Sequence, residues 1–315
     1  MKIIFFGTPQ IAVYCLEEII KSSHQVVAVV TAEDKPGGRG QKIQLSEVKK
    51  TAIKFNLEVL QPQKLKNADF LEKLKKFQAD LFVVVAFRML PEEVWKIPRY
   101  GTINLHASFL PNYRGAAPIN WAIINGETTT GITTFFINDK IDNGSIILQE
   151  KIDISIDDNA GTLHDKIMIK GAKLLVETID RIEKNDFCTT SQDQIEIEKI
   201  KLAPKIQKED CKIDWNRKAI EVYNFVRGLN PFPGAWTVLI KEDKRMIVKI
   251  VSGKIKEETS DLEPGKIVRS KNKLEVSTKS GIYEILELKP EGKRQMKVKE
   301  FLAGNNLENC FFEKN

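Results

Sequence analysis

The first two-thirds of the chain alternate short apolar runs with segments whose apolar residues recur at helical spacing. Lys2–Phe6 is an apolar run, and Pro9–Ser22 follows with Ile11, Cys15, Leu16 and Ile19 on one helical face. Gln25–Thr31 and Asp80–Ala86 (DLFVVVA) are continuously apolar, the pattern of parallel strands buried on both faces. Leu57–Leu60 is short and extended. Asn67–Phe77 is amphipathic with Asn67 at its N-cap, and Pro91–Ile97 reads as a short helix with proline at its first position. Thr102–His106 is the next strand and Ala116–Ile124 the next helix. Gly131–Ile137 and Ser145–Ile154 are strands flanking an Asp-Asn-Gly turn, and a long helix covers about Thr162–Lys184. This alternation predicts a Rossmann-like α/β domain with an open, mostly parallel sheet.

Residues 188–207 lose periodicity, are polar and include Pro204, so they read as a linker. Ile213–Arg227 then reads as a helix, followed by the turn-rich GLNPFPGAW. Short strands follow at Met246–Val251, Gly265–Val268, Lys273–Thr278 and Tyr283–Leu288, which predict a smaller OB-like β-barrel. A length of 315 residues suits this division. The expected limits are 1–188 for a catalytic domain, 189–207 for the linker and 208–315 for the barrel.

Charge sharpens the division. Residues 201–315 carry 24 basic and 17 acidic residues, against 25 and 26 in residues 1–200, so the whole excess of +6 lies in the C-terminal third. Such a module fits either a solvated lysine-rich surface or a binding surface for a polyanion, nucleic acid being the expected one. Apolar residues make up 42% of the chain and charged residues 29%, ordinary values for a globular protein. No apolar run approaches the roughly 20 residues that span a bilayer, and the N-terminal stretch reads as a first strand and not a signal peptide. Cys15, Cys188, Cys211 and Cys310 are scattered without a CxxC pair, as expected of reduced thiols in a cytoplasmic protein with no zinc site. A monomer is expected.

Candidate chemistry concentrates near residue 104. Asn104 and His106, two apart in a strand, share one face, with Ile103, Leu105 and Ala107 on the other. Both lie at the carboxyl end of their strand, where open α/β sheets bind ligands; a hydrogen-bonded core pair has the same spacing. Asp142 opens the Asp-Asn-Gly turn, a strong hairpin signal in its own right. Pro111 and Gly115 bracket a loop directly after the histidine strand. Asp34–Lys42 (DKPGGRGQK) is glycine-rich and cationic through Lys35, Arg39 and Lys42; it reads either as a surface loop or as an arm that folds against phosphates. The first strand–helix turn, FFGTPQ, lacks the GxGxxG dinucleotide fingerprint.

The segments IIFFGTP, DKPGGRGQK, INLHASFLPNYRGAAPI, INDKIDNGSIIL and IDW…NPFPGAW sample nearly the whole chain. In that order they resemble the 10-formyltetrahydrofolate-dependent formyltransferases, and among these the ones acting on methionyl-tRNA. The resemblance implies catalytic roles for Asn104, His106 and Asp142, and a folate site lined by Ser108, Phe109, Leu110 and Pro111. It implies that the loop around Arg39 grips the acceptor arm of initiator methionyl-tRNA, that the barrel contacts the backbone of RNA and not of DNA, and that no metal is needed. One segment departs from the family pattern. VVAFRMLP has Phe87 and Arg88 where Tyr-Gly is usual and is one residue shorter; the resemblance implies that this segment lies near the pterin pocket, with Phe87 and Arg88 as its candidate contacts.

For formyl transfer to an amine, Asn104 and His106 can donate hydrogen bonds to the oxygen that becomes negative, and Asp142 can orient His106 and accept the proton shed by the amine. Two other functions use the same core. A formyltransferase acting on a small amine shares the three residues but has no need of the basic module. A non-catalytic RNA-binding protein would need the module but not the three residues.

Overall fold

The structure is a computed structural model that describes residues 1–37, 42–192, 200–242, 244–256, 258, 260–270 and 272–314. They fall into two compact units, Met1–Gly115 with Thr129–Asp153 and His164–Ala203, and Ala116–Thr128 with Ile154–Leu163 and Pro204–Asn315.

The first unit begins with β1 (Lys2–Gly7), α1 (Gln10–Lys21), β2 (Gln25–Val30), β3 (Lys35–Gly37), β4 (Lys42–Gln44), α2 (Glu47–Lys54) and β5 (Val59–Leu60). It continues with α3 (Ala68–Lys76), β6 (Leu81–Val85), α4 (Glu92–Trp95), β7 (Thr102–His106) and β8 (Arg114–Gly115). After α5 (Pro118–Ile124), which lies in the second unit, come β9 (Thr129–Phe136), β10 (Ile146–Asp153), α6 (Ala160–Lys184) and β11 (Leu202–Ala203). The main sheet has the order β10-β9-β7-β6-β1-β2-β5, parallel from β7 to β5 and antiparallel at β9 and β10. The expected open, mostly parallel sheet is therefore present. Alternation along its strands divides the core. Ile3, Phe5, Val83, Ile103 and Leu105 enter one apolar cluster, while Ile4, Phe6, Phe82 and Val84 enter another on the opposite face. Asn67 caps α3 as expected, its side-chain oxygen accepting from the backbone N–H of Asp69 and Phe70.

Three local expectations differ from the structure. The two strands expected around the Asp-Asn-Gly turn are β9 and β10, paired antiparallel with an irregularity between Ile146 and Leu148, but the connection they flank is a loop of residues 137–145 and not a tight Asn-Gly hairpin turn. Asp142, not the asparagine, has a left-handed backbone at φ 49°. Residues 35–37 and 42–44 form a two-stranded hairpin, with Lys35 opposite Gln44. Within the segment read as a linker, β11 pairs in parallel with β8, Leu202 opposite Arg114 and Ala203 opposite Gly115.

The second unit holds α7 (Ala219–Gly228), β12 (Trp236–Lys241), β13 (Lys244–Lys256), β14 (Ile267–Ser270), β15 (Lys273–Ser277), β16 (Ile282–Pro290), β17 (Met296–Lys297), α8 (Val298–Ala303) and β18 (Cys310–Phe312). Its antiparallel sheet runs β14-β15-β16-β13-β12-β18. A bridge between Lys266 and Phe311, with the Phe312 N–H donating to Gly265 O at 2.9 Å, brings its two edges together into a barrel. Trp215, Tyr283 and Phe312 pack at its centre, and the Trp215 indole N–H donates to Thr237 Oγ1 at 3.0 Å. The helix expected from Ile213 starts at Ala219, because Ile213 and Trp215 are needed in the barrel core.

Candidate active site

Asn104 and His106 extend from the carboxyl end of β7, on the face opposite the buried Ile103 and Leu105. In register, Asn104 lies between Val84 of β6 and Phe135 of β9, and His106 lies opposite Thr133 of β9. Asn104 is half-buried, and its carboxamide has no hydrogen-bond partner among the described residues. An amide held on a rigid strand with its donors uncommitted is suited to bind an oxygen from outside.

His106 is 7% exposed, and its Nε2 lies 2.9 Å from the Tyr113 carbonyl oxygen. A carbonyl only accepts, so Nε2 carries the hydrogen. The neutral ring then has its lone pair on Nδ1, which faces Asp142 Oδ2 at 3.8 Å. Asp142 in turn accepts the Gly115 N–H at 3.0 Å through the same oxygen. His106 and Asp142 thus lie close together although they are 36 positions apart in sequence, and Asn104 stands two positions before His106 on the same strand.

The turn after β7 is braced from β9 and β10. The Ser108 hydroxyl donates to Asn112 O at 2.7 Å, and Ser108 and Leu110 are fully buried. Thr133 Oγ1 donates to Ser108 O at 2.7 Å and accepts the Leu110 N–H at 3.1 Å. Gln149 Nε2 donates to Leu110 O and to Thr133 Oγ1, both at 2.9 Å. Of the four residues expected to line a folate site, only Phe109 and Pro111 keep part of their side chains accessible. Phe87 packs edge-on against Phe6, with ring centres 5.8 Å apart. The Arg88 guanidinium, exposed, donates to the backbone oxygens of Pro62 and Gln63.

Of the three cations in the basic loop, Lys35 is exposed on β3, Lys42 begins β4, and Arg39 and the Lys42 side chain lie outside the described residues. The hairpin's base is tied down by Asp34, which accepts from Lys49 Nζ at 2.5 Å and from Gln61 Nε2 at 2.9 Å. These bonds, that from Lys49 first, hold the Asp34 carboxyl below the usual carboxylate range. Cys15 is buried, which pushes its thiol up to about 12 and makes it unreactive.

Sequence pattern alone does not reveal Tyr113, Gly115, Thr133 or Gln149 as parts of the site. Tyr113 acts through a backbone oxygen, which carries no residue-type signal. Gly115 is the one with a readable sign, a glycine at the end of a proline-started loop. Its φ is 127°, and a Cβ there would stand 2.3 Å from Ala203 O.

Residues 1–179 match the family described as formyl transferase, and residues 205–306 match the formyl transferase C-terminal domain. The chain is 50% identical over 304 residues to a methionyl-tRNA formyltransferase of Flavobacterium johnsoniae, covering 96% of each chain. It is 44% identical over 306 residues to that of Thermodesulfovibrio yellowstonii, covering 97% of this chain and 96% of the other. Among solved structures, an N-formyltransferase from Helicobacter canadensis in complex with folinic acid and dTDP-3-aminofucose superposes with a TM-score of 0.66 at 21% identity, over 94% of this chain and 100% of the other. HypX from Aquifex aeolicus in complex with tetrahydrofolic acid superposes with a TM-score of 0.65 at 18% identity, over 98% of this chain and 48% of the other; at such identities the likeness concerns the fold. With both family matches in order along one chain and near-full-length relatives at 44–50% identity, the chain belongs to the formyl transferase family.

Proposed function

We propose that this protein transfers the formyl group of 10-formyltetrahydrofolate to the α-amino group of initiator methionyl-tRNA. The observation that carries the proposal is the 50% identity to a methionyl-tRNA formyltransferase across 96% of both chains. The approach of Asp142 to His106, with Asn104 two positions earlier on the same strand, supports it further. The proposed domains are 1–188 for catalysis, 189–207 for the connection and 208–315 for RNA. The two family matches, 1–179 and 205–306, are consistent with these limits. The basic excess of the last 115 residues supports an RNA-facing role for the barrel. Lys35 and Lys42, on β3 and β4, would meet the acceptor arm together with Arg39, which lies between these strands in sequence and outside the described residues.

In the reaction the amine nitrogen forms a bond to the formyl carbon, and the bond from that carbon to N10 breaks. One proton leaves the amine and one goes to N10. The half-buried Asn104 carboxamide, without a hydrogen-bond partner among the described residues, fits a carbonyl oxygen and donates to it as negative charge develops. With Nε2–H given to Tyr113 O, only Nδ1 of His106 is left for the reaction. It donates to the same oxygen when the ring is protonated. Asp142 keeps one carboxylate oxygen on the Gly115 N–H and has the other available for the amine's proton, directly or through water. Ser108 and Leu110 act through the backbone they brace, and Phe109 and Pro111 offer apolar surface to the folate. Phe87 and Arg88 shape the pterin end, Phe87 from the core and Arg88 by fixing residues 62–63.

Replacing Asn104 by alanine tests the site. Turnover should fall by about 10²–10³, the usual cost of one donor to a developing oxyanion, while tetrahydrofolate binding measured by fluorescence quenching is retained. Turnover near that of the unmodified protein would exclude the role given to Asn104.

A further inference from the structure

Gln192 is 2% exposed and uses every hydrogen-bonding position of its amide. Its Oε1 accepts from Arg114 twice, from Nη2 at 2.8 Å and from Nε at 3.3 Å. Its Nε2 donates to Asp142 O at 3.2 Å and to Gly144 O at 2.7 Å. One buried side chain therefore joins the strand β8 to the backbone on both sides of Asn143. The loop it holds is under steric constraint. Asp142 is in the left-handed region at φ 49°, and a Cβ at Gly144 would fall 1.6 Å from Phe136 O. A non-glycine residue keeps such a backbone only where its surroundings impose it.

From this geometry we infer that Gln192 is a positioning residue for Asp142. It sets the backbone of residue 142 from one side, while the Gly115 N–H, next to Arg114, takes the carboxylate from the other. The two restraints share β8. Gln192 Oε1 fixes the Arg114 side chain, and β11 fixes the Arg114–Gly115 backbone. Gln192 touches no reacting atom and acts only through where it places the carboxylate beside His106. The inference rests on the proposed role of Asp142, but its structural half does not depend on the acceptor.

Gln192→Glu separates the two ends. The carboxylate still accepts from Arg114 but can no longer donate to the Asp142 and Gly144 carbonyls. Expected is a fall in kcat of about 10- to 100-fold, as for other outer partners that orient a functional group. KM for the formyl donor and for the charged tRNA should stay within about threefold, since positioning acts on the reacting geometry and not on remote binding. Placed on Asp142→Asn, the same change should cost nothing more, because residues acting through one group are not additive. Hydrogen exchange at the Gly115 amide should quicken by about tenfold in Gln192→Glu as its acceptor loosens, a readout that needs no activity at all. Gln192→Ala, if it folds, should behave alike. A kcat within twofold of the unmodified protein, losses that multiply with Asp142→Asn, or unchanged exchange at Gly115 would each overturn the inference. Absence of transfer by the unmodified protein would instead refute the proposed function, with the exchange experiment still deciding the role of Gln192.

Discussion

Gly115→Ala puts the geometry of the site under a measurable load. The residue sits at φ 127°, where an L side chain is strained by about 1–3 kcal/mol. The added methyl would also lie 2.3 Å from Ala203 O and 2.9 Å from Ala203 C, both backbone atoms of β11 that cannot swing aside. Strand β8 must therefore move, and its amide leaves Asp142 Oδ2, now 3.0 Å away. A hydrogen bond to a charged acceptor contributes about 1.5–3 kcal/mol. If the reaction needs that carboxylate fixed, turnover falls by about 10- to 10²-fold. The strain alone lowers Tm by roughly 2–12 °C at 2–4 °C per kcal/mol for a unit of this size. Gly292→Ala is the control. It also has positive φ, 71°, but its Cβ meets nothing within 4 Å, so a small loss of Tm and no loss of turnover are expected. Formyl transfer to charged tRNA and thermal denaturation, run on both variants, decide the matter. Full turnover in Gly115→Ala would refute the proposed coupling of β8 to Asp142. Equal losses of turnover in the two variants would mean that strain of any kind, not this contact, is responsible.

Two further outcomes concern the hairpin arm. The Asp34 carboxyl is held below its usual range by Lys49 and Gln61, so its contribution is complete above the ordinary carboxylate range and is lost as pH falls through the depressed value. Protection of the amides of residues 42–44, taken as the ratio of free-chain to observed exchange rate, should therefore be full at neutral pH, decline through the ordinary carboxylate range and be lost below the depressed value. In Asp34→Asn the protection should be low throughout, and an identical profile in both proteins would exclude the anchor. Arg39→Ala should weaken binding of methionyl-tRNA with little change in folate affinity. Equal RNA affinity by filter binding would remove the arm from the interface.

Much of this architecture is legible in the chain because burial on two faces writes itself as continuous apolar residues. Leu81–Val85 is such a run, and its odd and even residues enter different clusters. Asn104 and His106 were visible for the complementary reason, as polar residues on one face of an otherwise apolar strand. The expected folate lining is less legible, since Ser108 and Leu110 are buried and serve the turn. What periodicity misses is structure made by isolated backbone pairs. Strand β11 has two residues in a polar segment, and β18 has three near the C-terminus. Trp236–Lys241 follows so directly on the prolines of GLNPFPGAW that its strand character was masked by a turn signal. Gln192 lies in a polar stretch with no period, and its value depends wholly on two carbonyls 48 and 50 residues earlier.

The central claim is tested most directly by formyl transfer from 10-formyltetrahydrofolate to three acceptors in parallel: initiator methionyl-tRNA, elongator methionyl-tRNA and glycinamide ribonucleotide. The account predicts rapid transfer to the initiator tRNA and strong discrimination against the other two. Preferential formylation of glycinamide ribonucleotide, or no transfer to any acceptor while RNA is still bound, would contradict it.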